Sequence, residues 1–367
     1  MIQKDEIHRI LSGYDKSKIT IATICSHSAL QIFHAAKKEG FKTIGICKRN
    51  RRALYDSFPE AKPDEYILVN DFSQVLESDI QDKLIESNAI AVAHGSFVEY
   101  VGPKNLENKF HVPMFGNRRT LEWERDRKKQ REWLEKAGLK LPREYNSVPC
   151  DGTKVFVKMS GAKGGRGFFT VSSTEEMQTK LQDKVRKGLI SKEDAAKRTI
   201  QEFIPGVRYY NHYFYSLFEG IGPGMKEGRL ELLSMDKRIE PIDESYRGLP
   251  DVPEEFLDYT VTGNQPIVIR ESLLPSVMKM GIDTVNASKE LFPPGMQGAF
   301  CLETIYNPER EFTVFEISAR IVAGTNLYPE GSPYSCYLFK EPMSTGRRIA
   351  REIRRGIEEG KLERVVY

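Results

Sequence analysis

Four short apolar runs, separated by polar and helical segments, dominate the first third of the chain. Each run is rich in β-branched residues and too short for an amphipathic helix, as is typical of buried parallel strands. The runs are KITIATIC (18–25), FKTIGIC (41–47), EYILVN (65–70) and AIAVAHGSF (89–97). SALQIFHAAKKEG (28–40) lies between the first two and has helical periodicity, with a glycine at its end. The alternation predicts a small doubly wound α/β domain.

Polar tripeptides lie at the carboxyl ends of two of these predicted strands. Ser-His-Ser occupies residues 26–28, and His-Gly-Ser occupies residues 94–96. Ligands of doubly wound sheets bind outside the carboxyl ends of the strands, so both tripeptides are candidates for a binding crevice. His94 taken alone is more simply interpreted as a structural residue.

A domain boundary is predicted near residue 120. RRTLEWERDRKKQREWLEKAG (118–138) has interleaved acids and bases with apolar residues at helical spacing, which predicts a helix from about 119 to 137 with a solvated face. A mixed α+β region follows, with a polar helical segment at 174–197. Its predicted strands are 154–159, 167–173, 198–206, 209–218, 229–240, 262–273, 298–306 and 311–320.

Charge and cysteine content exclude several classes of protein. The net charge of +3 is too small to indicate a nucleic-acid partner. The five cysteines form no CxxC pair and no zinc spacing, which favours reduced thiols in a cytosolic protein. The first residues contain no apolar run suited to a signal peptide, and no stretch approaches membrane-spanning length. We therefore expect a cytoplasmic protein that binds no membrane.

The segment VKMSGAKGGRGFF (157–169) contains four glycines with Lys163 and Arg166 between them. Glycines permit the backbone conformations that expose several N–H groups to an anion, so the segment could cradle a phosphate. A flexible hairpin tip between two strands would have a similar sequence. The segment alone favours neither interpretation.

Two glutamates, Glu303 and Glu316, have apolar neighbours on the last two predicted strands. A carboxylate at an inward position requires a compensating cation. Two such oxygen ligands beside a phosphate site suit Mg²⁺, which uses few protein carboxylates and keeps waters. The competing interpretation, in which both side chains point to solvent, is slightly favoured by these two segments alone.

A strand lysine, a glycine-rich loop, an acid at a hinge and two late acids follow one another in order. The chain resembles the ATP-grasp ligases in this respect, and WLEKAGLKLP is similar to the helix that introduces that fold. Within them it resembles the archaeal 5-formaminoimidazole-4-carboxamide ribonucleotide synthetases over nearly its whole length. Ten ordered motifs carry the resemblance: SHSALQI, HGSFVEY, MFGNRR, GAKGGRGFF, QEFIPG, HYFYS, SMDKR, TGNQPIVIRESLLP, FCLE and FEISARIVAGTN.

The resemblance implies a fold and a reaction. Residues 1–120 would form a Rossmann-like domain that binds the ribotide, and 121–367 an ATP-grasp domain. One lobe of that domain, about 145–205, would carry the glycine-rich loop, and the other, about 206–367, the metal-binding acids. ATP would convert formate to formyl phosphate, which the amine of the aminoimidazole carboxamide ribotide would attack. The family also implies a symmetric homo-oligomer, a trimer or a hexamer.

The same resemblance implies roles for particular residues. Lys158 would neutralise the phosphates of ATP during catalysis, Arg320 would bind an anionic intermediate or form a structural ion pair, and Mg²⁺ or Mn²⁺ would bind the two late acids. The implied ATP contacts are Lys158, Gly161, Gly164, Gly165, Glu202, Phe203 and Ile204. The implied ribotide contacts are His27, Ser28, Ser96 and Asn264, and the implied metal ligands are Glu303 and Glu316.

Some features depart from the family pattern or have no assigned role. Many ATP-grasp enzymes have a metal-binding asparagine two residues after the last acid, where this chain has Ser318, with Asn326 as a substitute. Cys25, His212 and the basic stretch KRNRR (48–52) are left without a role. Two other functions stay open: an ATP-grasp ligase acting on a different acid and amine, and a nucleotide-binding regulatory protein.

Overall fold

The structure is a computed structural model that describes residues 1–159, 168–241 and 259–367. Within these residues the strands form one parallel and two antiparallel sheets. No helix in the same part of the chain is long and apolar enough to cross a membrane.

The first sheet is parallel, and its strand order is β3-β2-β1-β4. All five residues of the first strand are buried, because helices cover both faces of a doubly wound sheet. The strands are β1 Thr20–Ile24, β2 Lys42–Lys48, β3 Glu65–Val69 and β4 Ala89–Ala91. The helices of this region are α1 Lys4–Ser12, α2 Ala29–Lys38, α3 Arg52–Asp56, α4 Ser78–Glu86 and α5 Pro103–Lys109. The predicted parallel α/β architecture is confirmed.

The second sheet is antiparallel, with the order β5-β8-β6-β7. Its strands are β5 Glu144–Tyr145, β6 Val155–Lys158, β7 Phe169–Val171 and β8 Thr199–Glu202. The polar region at 174–197 forms two helices, α8 Thr174–Arg186 and α9 Lys192–Ala196, and apolar residues of both pack on this sheet.

The third sheet is antiparallel, with the order β11-β10-β9-β12-β13. Alternate residues of its strands face two different cores. One core includes the helix Leu274–Leu291, and the other includes the helix Thr345–Glu358 and helix α2 of the parallel sheet. The strands are β9 Val207–Ser216, β10 Arg229–Ile239, β11 Gly263–Pro266, β12 Gly298–Tyr306 and β13 Phe312–Ser318. The helices are α10 Leu274–Leu291, α11 Ser335–Leu338 and α12 Thr345–Glu358.

The helix predicted from about 119 to 137 is in fact two helices, α6 Thr120–Arg125 and α7 Arg127–Lys136. Asp126 separates them with an extended backbone, φ −76° and ψ 111°. Its carboxylate accepts hydrogen bonds from the backbone N–H groups of Lys128 and Lys129 and so caps the second helix. The apolar spacing continues across the break, so periodicity alone did not reveal it.

Helix α12 is anchored by a fully buried arginine, Arg348. Its guanidinium donates to Glu231 on β10 at 2.8 Å and to Glu352 one turn along the helix at 2.8 Å. Glu352 also accepts hydrogen bonds from the hydroxyl of Ser216. The cluster lies in the interior, so its charges are stabilised by one another and not by water.

We expect Arg348→Met to lower the free energy of unfolding by about 3–5 kcal/mol, because it leaves two glutamates buried without their cation. Urea denaturation would measure the change. Lys361→Met is the control, since Lys361 is exposed and pairs with Glu359 at the surface, where about 0–1 kcal/mol is expected. A loss below about 1 kcal/mol in Arg348→Met would contradict the anchoring role.

Candidate active site

A cavity of about 930 Å³ is lined by residues of all three sheets and their connections. Its volume is at the upper end for small-molecule sites, so two substrates can be accommodated together. Ten of the predicted site residues line it: His27, Ser96, Lys158, Glu202, Phe203, Ile204, Asn264, Glu303, Glu316 and Arg320. Ser28 lies behind the wall, and the predicted phosphate-binding glycines Gly161, Gly164 and Gly165 lie outside the described residues.

The carboxyl ends of β1 and β4 place two histidines side by side. The rings of His27 and His94 stack with centroids 5.4 Å apart and an angle of 4° between their planes. His94 Nε2 donates to the Ile24 carbonyl at 2.8 Å, and its Nδ1 accepts the Ser96 backbone N–H at 3.2 Å. His94 therefore acts as a buried support for the tripeptide that presents Ser96 to the cavity.

His27 has the left-handed backbone conformation, φ 51°, which is uncommon for a residue other than glycine. Its Nδ1 forms a hydrogen bond of 2.8 Å with the Ser28 hydroxyl, so Ser28 orients the ring. Desolvation, together with the nearby charge of Arg320, holds the pKa of His27 well below its ordinary value. Burial likewise lowers the pKa of His94 to about 4. Both imidazoles are therefore neutral near pH 7.

Gly95 leaves the space that the His27 ring occupies. A Cβ at this position would lie 3.0 Å from both Cδ2 and Nε2 of His27. We expect Gly95→Ala to fold and to lower kcat/KM about tenfold for the ribotide that the sequence motifs imply, because a small displacement of a positioning group is costly. Steady-state kinetics would measure this, with an unchanged KM for ATP.

Gly13→Ala, directly after α1 and outside the cavity lining, is the control, because a Cβ at Gly13 would meet the Ile10 carbonyl oxygen and no ring. An unaltered kcat/KM for the ribotide in Gly95→Ala would show that the position of the His27 ring is unimportant.

Glu303 and Glu316 are direct partners on the antiparallel strands β12 and β13, beside a bulge. Arg238 holds Glu303 with two hydrogen bonds, at 2.8 and 3.1 Å, and Arg127 lies 3.3 Å from Glu316. Burial and the neighbouring Glu316 raise the pKa of Glu303, against the opposing effect of Arg238. Burial also acts to raise the pKa of Glu316, but Arg127 and Lys158 outweigh it and the net shift is downward. At least one carboxylate is thus ionised at neutral pH.

The two facing carboxylates fit a hard divalent cation such as Mg²⁺, which takes oxygen ligands and few protein groups. The described residues contain no cluster of three or more His, Cys, Asp or Glu side chains that could hold a metal, so further ligands would be phosphate and water oxygens. The Ser318 hydroxyl lies 3.3 Å from a carboxylate oxygen of Glu303. Asn326 instead donates to the His27 carbonyl and does not line the cavity. Ser318 is therefore better placed than Asn326 to contribute a metal ligand.

Lys158 ends strand β6 and lies against the Phe315 ring, with its Nζ 5.1 Å from the ring centroid. Desolvation lowers the pKa of Lys158 to about 8, although Glu316 acts in the opposite direction. On the neighbouring strand, Glu202 accepts a hydrogen bond from the Arg143 backbone N–H at 3.1 Å. Phe203 and Ile204 continue along the cavity wall. Lys158 and the segment 202–204 thus line the same cavity, one with a positive charge and the other with apolar surface and backbone groups.

Asn264, which is half-buried, is hydrogen-bonded to a chain of buried polar side chains. Its amide donates to Asp236 at 2.7 Å, Asp236 pairs with His212 Nε2 at 2.7 Å, and His212 Nδ1 bonds to the Ser234 hydroxyl at 2.7 Å. A Cβ on Gly324 would lie 2.1 Å from Asp236, so that glycine leaves room for the carboxylate. His212 therefore acts through Asp236 on the orientation of Asn264 and does not line the cavity.

Sequence reasoning missed two arginines of the site. Arg127 was assigned to a solvated helix face, but it lines the cavity and pairs with Glu316. Arg238 lies in the SMDKR motif, which carried part of the resemblance without a role for the arginine. The two glutamates with apolar neighbours were the signal that could have revealed these arginines, because buried carboxylates require cations. Cys25, also unassigned, packs with Cys47 in a core of the parallel sheet and does not line the cavity.

Comparison with known proteins gives consistent matches. Residues 176–367 match a family described as a domain of unknown function, DUF1297, and residues 21–145 match one described as a protein of unknown function, DUF1246. The 5-formaminoimidazole-4-carboxamide-1-(beta)-D-ribofuranosyl 5'-monophosphate synthetase of Korarchaeum cryptofilum is 51% identical over 369 residues, covering 100% of both chains. The protein of the same name from Methanococcoides burtonii is 48% identical over 371 residues, again with 100% of both chains covered.

Solved structures give matches that agree with these relatives. The crystal structure of an IMP biosynthesis protein PurP from Thermococcus kodakaraensis superposes with a TM-score of 0.72 at 34% identity, covering 95% of this chain and 100% of that one. An ADP complex of N5-carboxyaminoimidazole ribonucleotide synthetase superposes with a TM-score of 0.61 at 12% identity, covering 91% of this chain and 76% of that one, and shows the fold alone. The chain has the ATP-grasp fold and belongs to the family of 5-formaminoimidazole-4-carboxamide-1-(beta)-D-ribofuranosyl 5'-monophosphate synthetases, which are ligases of purine biosynthesis.

Proposed function

We propose that this protein uses ATP and formate to formylate the 5-amino group of 5-aminoimidazole-4-carboxamide ribonucleotide. Formate would first take the terminal phosphoryl group of ATP, giving formyl phosphate and ADP. The amine would then attack the formyl carbon, and phosphate and a proton would leave. The observation that carries the proposal is that the candidate ribotide contacts His27, Ser96 and Asn264 line the same cavity as the candidate ATP and metal contacts.

Charge stabilisation is the main task of the site residues in this reaction. Phosphoryl transfer requires reactants held in line and a field that stabilises charge on the moving group. Lys158 supplies a cation beside Glu316, where the phosphates of ATP would lie. A divalent cation bound by Glu303 and Glu316, Mg²⁺ or Mn²⁺, would supply further positive charge when present. Arg320, which lines the cavity and lies 3.2 Å from Glu124, would bind an anionic intermediate.

The ribotide would lie at the carboxyl ends of β1 and β4. Neutral His27 keeps its Nε2 available for a hydrogen bond, because Ser28 already engages Nδ1. Asn264 reaches the cavity from the third sheet and is fixed by Asp236. The two sites share one cavity, so the acyl phosphate would form beside its acceptor and away from bulk water.

The test is ADP release by the purified protein with Mg²⁺, ATP, formate and the ribotide, leaving out each in turn. Turnover that requires all four, with a formylated ribotide as product, supports the proposal. Hydrolysis that depends on a different acid or amine would assign the chain to another reaction of the same fold. Binding of ATP with no turnover under any condition would favour a regulatory protein.

Compartment and assembly are further expectations. All five cysteines are free, which fits a reducing compartment such as the cytoplasm. We also propose a symmetric homo-oligomer, a trimer or a hexamer, and light scattering on the purified protein would give its mass.

A further inference from the structure

The basic segment KRNRR (48–52) follows β2, and none of the roles described so far involves it. Strand β2 lies beside β1, and the two are parallel. Their carboxyl ends therefore meet at the same edge of the sheet, where the cavity begins. Residues 49–51 form a short turn directly after β2, and Arg51 in this turn contacts the first polar tripeptide, 26–28.

Arg51 reaches the wall of the cavity. Its Nη1 donates a hydrogen bond of 3.1 Å to the hydroxyl of Ser26, which lines the cavity. The guanidinium carbon lies 5.6 Å from the centroid of the Phe72 ring, and that ring contacts Tyr100, another lining residue. Arg51 is thus held between a lining hydroxyl and the Phe72 ring.

The charge balance at this end of the cavity distinguishes Arg51 from the neighbouring cations. Lys48 pairs with Asp71 at 2.8 Å, and Arg320 pairs with Glu124 at 3.2 Å. Among the described residues, no carboxylate lies within 4.0 Å of the Arg51 guanidinium. His27 and His94 are neutral near pH 7 and add no positive charge. Arg51 is therefore a cation at this end of the cavity that no carboxylate of the described residues pairs with, unlike Lys48 and Arg320.

We infer that Arg51, together with the hydroxyl of Ser26, binds the phosphate group of the ribotide and makes the site specific for a ribonucleotide over the corresponding nucleoside. The inference rests on the proposed function. An arginine suits this task because its planar fork matches the geometry of phosphate oxygens and stays charged at every relevant pH. Arg51 acts on substrate selection and takes no part in the transfer of the formyl group.

The test compares two substrates, the ribotide and its phosphate-free nucleoside, in Arg51→Met. We expect kcat/KM for the ribotide to fall roughly 10- to 100-fold, the range for a lost charged hydrogen bond, with kcat/KM for the nucleoside and KM for ATP unchanged. Arg51→Lys should recover part of the loss, since it keeps the charge without the fork. Arg52→Met is the matched control, because Arg52 pairs with Asp56 and is exposed.

Equal losses for ribotide and nucleoside in Arg51→Met would overturn the inference, because they would indicate a structural role. An unchanged kcat/KM for the ribotide would also overturn it. If the unaltered protein shows no ribotide-dependent ADP release, the proposed function fails, and calorimetry with ribose 5-phosphate then decides the role of Arg51. Weaker binding in Arg51→Met than in Arg52→Met would support a phosphate site, and equal binding would exclude it.

Discussion

Glu316→Gln is expected to fold normally and to lose turnover by about 100-fold or more. The substitution keeps the size and hydrogen-bonding capacity of the side chain but removes the negative charge facing Glu303 across β12 and β13. A divalent cation would then have one carboxylate instead of two, and the charge on the transferred phosphoryl group would be less well neutralised. ADP release as a function of Mg²⁺ concentration would measure the loss, with a higher Mg²⁺ requirement as its signature.

The ion pair between Arg127 and Glu316 offers an alternative explanation that the same assay can separate. Arg127→Gln also breaks this pair but leaves both carboxylates in place, so its Mg²⁺ requirement should not rise. Glu311→Gln is the matched control, because Glu311 precedes β13 on the same hairpin and pairs with Lys140 outside the cavity. Near-normal turnover by folded Glu316→Gln would exclude the metal assignment.

Lys158→Met is expected to lower kcat/KM for ATP about 100- to 1000-fold, the range for loss of one charged group that stabilises a transition state. Methionine keeps the apolar stem that packs on Phe315 but removes the ammonium group from the cavity wall. Lys136→Met is the control, since Lys136 is exposed and pairs with Glu290 on the surface. A change of less than about threefold in kcat/KM for ATP would show that Lys158 does not act on the phosphates.

The lowered pKa of Lys158, about 8, adds a pH dependence to this prediction. A lysine is charged below its pKa, and phosphate binds the charged form, so kcat/KM for ATP should be highest below pH 8. Above pH 8 it should fall by up to about tenfold per pH unit, because kcat/KM reports ionisations of the free enzyme. Lys158→Arg should remove this decline, since arginine stays charged. A flat profile from pH 7 to 9.5 in the unaltered protein would contradict the assignment.

Local pattern predicted the parallel sheet and the last hairpin of the chain. Apolar runs of the right length predicted the parallel strands β1 to β4, and the short spacing across residues 307–310 predicted the hairpin of β12 and β13. These signals depend on near neighbours in sequence, because burial on one face repeats with the period of the strand or helix. The break at Asp126 was missed, because one capping residue ends the helix there while the helical spacing of apolar residues continues on both sides.

The candidate ATP, ribotide and metal residues and Arg320 were chosen from ordered motifs, and the structure places ten of them around one cavity. What those side chains contact could not be predicted. Their own segments slightly favoured solvent-facing side chains for Glu303 and Glu316, and this was wrong. The fold turns both toward the cavity and toward arginines from distant parts of the chain.

The sequence by itself therefore determined the parallel sheet, the last hairpin, the family and most of the residue types at the site. It did not predict helix α10 or the break at Asp126. Only the tertiary structure decided the partners. Arg127 meets Glu316 across 189 positions of chain, and Arg51 meets Ser26 because parallel strands bring their carboxyl ends to one edge. The physical reason is that hydrophobic periodicity is a local property, whereas the pairing of buried charges depends on which distant strands and helices the folded chain brings within hydrogen-bonding distance.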